Sequence, residues 1–143
     1  MRSRRCSAPL GLILLASTLV FATSITAQQN EDQATEAAKA WLANVDAGAY
    51  GTSWDGTADF FKMSVTKEAW EQSLDSVRKP LGEVQSREVR SANYTTSLPN
   101  APEGEYVVIE MQTAFDNMPS AVETVVCMRQ SDGGWKVAGY FIR

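Results

Sequence analysis

The chain has 143 residues, with 13 Lys and Arg against 17 Asp and Glu, two Cys and no His. Its length is that of one domain, and the lack of His excludes imidazole acid–base chemistry, Ser-His-Asp or Cys-His nucleophiles and His-ligated zinc. A pI near 4.8 argues against nucleic-acid binding, which needs a basic face to meet phosphates.

Residues 1–27 read as an address. Arg2, Arg4 and Arg5 form a positive start, residues 8–22 are an apolar run, and Ile25-Thr26-Ala27 offers a small residue for cleavage. This is the layout of a signal peptide. The run is short for a membrane span, which needs about 20 residues. The protein is therefore expected to be exported, periplasmic or secreted, and to touch a membrane only through this transient segment. Residues 28–143 are expected to form a single domain, with 10 basic and 17 acidic residues and a net charge of −7. Cys127 is then the one remaining thiol. It cannot close an internal disulfide, and it reads as a small buried apolar residue.

Asn30-Glu31-Asp32-Gln33 has the residues of a helix start. Ala34, Ala37, Ala38, Trp41, Leu42 and Val45 then recur at helical spacing, which predicts a helix over 31–47 with Gly48 as its stop. Tyr50 and Trp54 sit one turn apart in a short second helix. Residues 59–65 are expected to hold a short extended piece. Thr66 caps a third helix over 67–79, with Trp70, Leu74 and Val77 on one face and Arg78 and Lys79 at its end. Pro80 and Gly82 terminate it.

From Glu83 the period shifts towards two. Residues 83–94 read as a polar strand near an edge, and residues 95–104 as a loop. Residues 105–115 form a strand with Val107, Ile109, Met111 and Phe115 on one face. Residues 116–120 are a turn. In the strand over 121–129, Val122, Thr124, Val126 and Met128 share a face. Ser131-Asp132-Gly133-Gly134 is a hairpin turn before a last strand over 135–143. That strand is apolar on both faces, as a central strand or one meeting a partner would be. The fold class is α+β: three N-terminal helices packed on a curved antiparallel sheet of about four strands, in a cone-like layout.

Several words recur in order: Ser53-Trp54, Phe61-Lys62, Trp70, Arg78-Lys79-Pro80-Leu81-Gly82, Leu98-Pro99, Glu103-Gly104-Glu105-Tyr106, Glu123-Thr124-Val125 and the run from Asp132 to Tyr140. On these words residues 34–143 resemble domain-of-unknown-function family 4019, a group of secreted bacterial proteins. The order of elements resembles the nuclear-transport-factor-2-like, or cystatin-like, fold. The resemblance implies a bacterial, exported protein and no established activity.

That likeness also implies a pocket between sheet and helices. Tyr106, Glu110 and Gln112, opposite the apolar face of their strand, are candidates to line it, or else that face meets water. Glu123 lies among apolar neighbours, so if enclosed it needs a partner, and Arg78, Arg87, Arg129 and Arg143 are available. Tyr50, Trp54 and Tyr140 complete the candidate binding residues. Trp41, Trp54, Trp70 and Trp135 otherwise serve as core. No P-loop, dinucleotide fingerprint, CxxC pair or EF-hand loop is present, Asp55 and Asp59 are too sparse for calcium, and no cofactor or metal is expected.

The leading functional reading is a non-enzymatic domain that binds a small molecule or a protein. One alternative is a homodimeric structural or interaction protein. The other is an isomerase- or dehydratase-like enzyme working with Tyr50, Tyr106, Tyr140, Glu110 and Asp59, since Tyr and carboxylates can act without His.

Overall fold

The computed structural model describes residues 21–143. Helix α1 spans Phe21–Asp46, α2 Tyr50–Asp55, α3 Asp59–Ser64 and α4 Lys67–Arg78, with a 3-10 turn at Lys79–Leu81. Four strands follow: β1 Val84–Thr95, β2 Tyr106–Phe115, β3 Met118–Arg129 and β4 Trp135–Ile142. They form one open antiparallel sheet in the order β1-β2-β3-β4. The α+β class and the four strands agree with the sequence reading; the described residues hold four α-helices where three were expected. The expected signal peptide lies largely outside the described residues, and residues 21–27 are the first turns of α1.

Helix α1 starts earlier than the Asn30 signal suggests. No Gly or Pro interrupts Phe21 to Asp46, so the helix runs through the would-be cap. Asn30 is buried, and its Oδ1 accepts from Arg129 Nη1 at 3.2 Å instead of capping a helix. Ala34, Ala38, Trp41, Leu42 and Val45 form the buried face of α1. Each large member contributes about 1.5–3 kcal/mol by leaving water. Gly48 ends the helix with φ +72°, where Gly48 N–H reaches Val45 O and Ala49 N–H reaches Asn44 O. This is a Schellman cap, which favours glycine.

Residues 59–64 are helical, not extended. Adjacent Phe60 and Phe61 break the alternation a strand needs, while Asp59 suits a helix start. Phe61 packs edge-on to Trp70, with ring centres 5.1 Å apart. Thr66 caps α4 by accepting from Ala69 N at 3.2 Å.

The core lies between the helices and one face of the sheet. From β2 it takes Val107, Ile109 and Met111, as the alternation predicts. From β3 it takes Val125 and Cys127, while Ala121 and Glu123 are buried on the same face. The expected grouping of Val122, Thr124, Val126 and Met128 is thus the outer face, because Met111 pairs Glu123 and Ile109 pairs Val125. The turn before β3 is also shorter than expected. Only Asp116 and Asn117 separate the strands, and Pro119 lies inside β3.

Strand β4 carries a bulge at Ala138: Cys127 pairs Val137, yet Val126 pairs Gly139. One extra residue inverts the parity of everything after it. Trp135 and Val137 face inward before the bulge. Tyr140 and Ile142 face inward after it, opposite Val125 and Glu123, and Phe141 is turned outward and 62% exposed.

Candidate functional site

The folded chain brings its buried charges together at one place on the inner face. Glu123 on β3 is 0% exposed, the one fully buried carboxylate among the described residues. Arg87 reaches it from β1, where register sets Arg87 opposite Thr113. Arg87 Nε donates to Glu123 Oε2 at 2.6 Å, and Nη2 to Oε1 at 3.2 Å. Thr113 Oγ1 donates to Oε2 at 2.5 Å, and Tyr140 OH donates to Oε1. Four donors therefore satisfy the carboxylate, which an unpaired burial would make costly.

The helices close the other side. Asp46, the last residue of α1, accepts from Arg87 Nη1 at 2.7 Å and from Arg78 Nη2 at 2.7 Å. A carboxylate at a helix C-terminus opposes the dipole, and the two guanidinium groups offset that. Arg78 ends α4, is 4% exposed, and lies 4.4 Å over the Phe115 ring. Two guanidinium groups thus face two carboxylates. The set is charge-balanced.

The same surroundings shift the titrating groups. Burial pushes the Tyr140 hydroxyl well above the ordinary tyrosine value, and the Glu123 charge adds to this. Burial pulls Arg87 down, but its hydrogen bonds to Asp46 and Glu123 outweigh that and leave it above the ordinary value. Tyr140 stays a proton donor to Glu123, and Arg87 stays a cation. A general acid or base must present a proton or lone pair to substrate. Glu123 has no exposed atom, and its oxygens are occupied. The arrangement holds β1, β2, β3 and β4 to the ends of α1 and α4. It is suited to structure.

The structure separates the other residues singled out in the sequence. Tyr50 lies at the start of α2, packed at the margin of the core and lining an open cleft. Trp54 donates from Nε1 to Val65 O at 2.9 Å, with Lys62 Nζ 5.3 Å from its ring centre. Tyr106 is buried on the outer face, and its OH donates to Pro102 O at 2.7 Å. Glu110 and Gln112 are on that face too. Glu110 accepts from Arg143 Nη2 at 2.8 Å, and Gln112 Nε2 donates to Ala121 O at 3.0 Å. Asp59 is exposed in α3. Only Glu123 and Tyr140 of the candidates meet. Of the four arginines proposed for Glu123, Arg87 is the direct partner and Arg78 is linked through Asp46. Arg129 pairs with Glu105, and Arg143 with Glu110.

Sequence reasoning missed Asp46, Thr113 and Ser53. Ser53 is fully buried: its Oγ accepts from Trp70 Nε1 at 2.9 Å, and its carbonyl accepts from Trp41 Nε1 at 2.8 Å. A small polar residue beside a Trp in a short helix was the available signal. Among the described residues no three His, Cys, Asp or Glu side chains gather as a metal site. No described helix is long and apolar enough to cross a membrane.

Two surface depressions among the described residues are lined by residues singled out in the sequence, Tyr50 and Tyr140. A wide cleft of about 640 Å³ lies between the α1–α2 turn and α4, lined by Tyr50, Gly51, Lys67, Glu71, Gln72 and Asp75 among others. A narrower groove of about 230 Å³ runs between α4 and the end of β4. Trp70, Ser73, Leu74 and Val77 form one wall, and Tyr140, Phe141 and Ile142 the other.

The family model described as "Protein of unknown function (DUF4019)" matches residues 37–140. The chain belongs to the DUF4019 family. No curated protein and no solved structure matches it. The DUF4019 match begins in the middle of α1 and ends on Tyr140. It therefore contains Asp46, Arg78, Arg87, Thr113, Glu123 and Tyr140, all six members of the polar network.

Proposed function

We propose that this DUF4019 protein is an exported, non-enzymatic binding domain that makes its contacts through the groove between α4 and β4. The observation that carries this reading is the state of Glu123. The inner side of the sheet, where a nuclear-transport-factor-2-like fold would place a pocket, is filled by a charge-balanced network in which both Glu123 oxygens are hydrogen-bonded, while Arg78 Nε and Nη1 lie buried without a partner. Chemistry has no exposed acid there to use. The export half of the reading rests on residues 1–27.

The groove has the complementary character. Every side chain lining it is uncharged, and Val77 and Phe141 at its rim are two of the four exposed large hydrophobics among the described residues. Exposed apolar surface rimmed by polar residues marks contact sites. Small-molecule pockets are usually about 300–1,000 Å³. At about 230 Å³ the groove suits part of a macromolecule better than a whole metabolite.

A thermal-shift screen of apolar extended peptides and small apolar molecules tests the reading, with Val77→Asp as the comparison. Stabilisation of the wild type that Val77→Asp loses is the expected result. Equal stabilisation of both proteins would move the site elsewhere, and the cleft at Tyr50 would be the next candidate.

A further inference from the structure

The backbone beside the groove is itself unfinished. Arg143 exchanges both backbone hydrogen bonds with Val122, at 3.1 and 2.8 Å. Antiparallel pairs alternate between bonded and non-bonded, so Phe141 and Gly139 also bond to β3. Tyr140 and Ile142 therefore direct their N–H and C=O groups away from the sheet. No described residue pairs with these four groups. The earlier half of this edge is already covered, because Thr57 bridges Val137 and Ala58 N donates to Val137 O at 2.8 Å.

The opposite edge of the sheet is protected. β1 has two register breaks and carries Arg87, Glu88 and Arg90. Charges and bulges are the usual guards against edge pairing. The open end of β4 has neither beyond its bulge: it reads Gly139-Tyr140-Phe141-Ile142.

We propose that two copies of this chain join β4 to β4 across a two-fold axis at Phe141. The proposal rests on the groove reading above and names its occupant as a second copy. Tyr140 and Ile142 are equidistant from Phe141. An antiparallel pair centred there sets Tyr140 opposite Ile142 of the second copy, and Ile142 opposite its Tyr140. All four orphan backbone groups on each copy are then used, in four hydrogen bonds. The two Phe141 rings face each other on the outer side. Ile142 of the second copy lies on the inner side, towards the groove under α4. Gly139 falls opposite Arg143 of the second copy and offers no side chain to obstruct it.

The charges permit this self-contact. Residues 28–143 carry −7, so two copies repel unless they meet on neutral surface. Trp70, Ser73, Leu74, Val77, Tyr140, Phe141 and Ile142 provide it. Arg143, next to Ile142 in the chain, is paired within its own copy with Glu110 at 2.8 Å. Four backbone bonds and a narrow apolar strip belong with the smaller interfaces, so the dimer is expected to dissociate in roughly the 10–100 μM range.

Sedimentation velocity of the exported protein across that range tests the proposal, together with four variants. Phe141→Glu sets two carboxylates face to face and should weaken the dimer at least about tenfold. Ile142→Pro removes an edge N–H that the β3 ladder does not use, and it should abolish dimers while circular dichroism stays that of the wild type. Phe141→Cys should form a disulfide-linked dimer on mild oxidation, because Cα atoms at such a non-hydrogen-bonded pair lie about 4.5 Å apart, within the span a disulfide bridges. Lys136→Cys, far from the axis, should not. Buried Cys127 does not compete. A wild type that stays monomeric to 1 mM, with no cross-link at Phe141→Cys, overturns the second-copy proposal. Peptide stabilisation lost in Val77→Asp would leave the groove reading intact in that case; its absence as well would remove both.

Discussion

Replacing Glu123 by Gln keeps the shape and removes one charge. The amide oxygen can still accept, but the amide nitrogen cannot accept from Arg87 or Tyr140. At least one side of the four-donor arrangement is lost, and Arg87 and Arg78 are left facing Asp46 alone. Breaking a buried ion pair by removing one partner costs about 3–5 kcal/mol. Arg87 keeps its two bonds to Asp46 at 2.7 and 3.0 Å, which places this loss near 3 kcal/mol. Stability of a domain this size is about 5–15 kcal/mol, so the melting temperature should fall by roughly 10 °C. Urea unfolding with a shared m-value gives the free energy, and calorimetry gives the temperature. Glu110→Gln is the control, because its pair with Arg143 is exposed and worth about 0–1 kcal/mol. The double replacement Arg87→Met with Glu123→Leu removes both charges and should recover more than half of the loss. If Glu123→Gln costs no more than Glu110→Gln, the buried network is not what ties the sheet to the helices.

Three further outcomes follow from local geometry. Ser53→Ala strands the Trp70 indole N–H in the core and should cost about 1–3 kcal/mol, read by denaturation followed through Trp fluorescence. Gly82 has φ +79°, and a Cβ there would lie 2.7 Å from Asp116 Cβ, so Gly82→Ala should cost about 2 kcal/mol or more in the same assay. Burial pushes the Cys127 thiol from 9.0 up to about 12. The native state then keeps a proton that the unfolded state releases. This contribution is fully present below pH 9 and declines by about 1.4 kcal/mol per unit as pH rises towards 12. Cys127→Ala should flatten that decline in urea midpoints measured at pH 8, 10 and 11; an unchanged slope would mean that the thiol is not held in the core.

How far the fold could be read depended on whether one pattern excluded the other. On β2 the odd positions Val107, Ile109, Met111 and Phe115 are apolar while Glu110 and Gln112 on the other face are not, so the buried face was plain. On β3 both faces carry apolar residues. Val122, Val126 and Met128 read as well as Val125 and Cys127. The decision lay with Glu123, whose inward position depends on Arg87, Thr113 and Tyr140 from three other strands. No local pattern contains that information. Strand β4 failed differently. Both parities are apolar, so the bulge at Ala138 left no trace, yet it alone turns Tyr140 to Glu123 and Phe141 to solvent. Caps were legible where one residue performs the whole task, as at Gly48 and Thr66. Asn30 looked like a cap because its residue type fits one, and tertiary pairing with Arg129 took precedence. For the site, the need of Glu123 for an arginine was legible, and Arg87 was among those named. Asp46 was not, because a carboxylate at a helix end signals nothing until the arginines of α4 and β1 converge on it.

The central claim is that contacts are made at the α4–β4 groove while the buried network stays closed. NMR of the methyl groups of Leu74, Val77 and Ile142, recorded with the Arg87 Nε–Hε signal, tests both halves at once. The protein is diluted from about 1 mM to about 10 μM, spanning the expected dissociation range, and the series is repeated with any peptide that stabilises it. The account predicts that the three methyl signals shift and that Arg87 does not. Shifts at Arg87 with the groove methyls unmoved would contradict it.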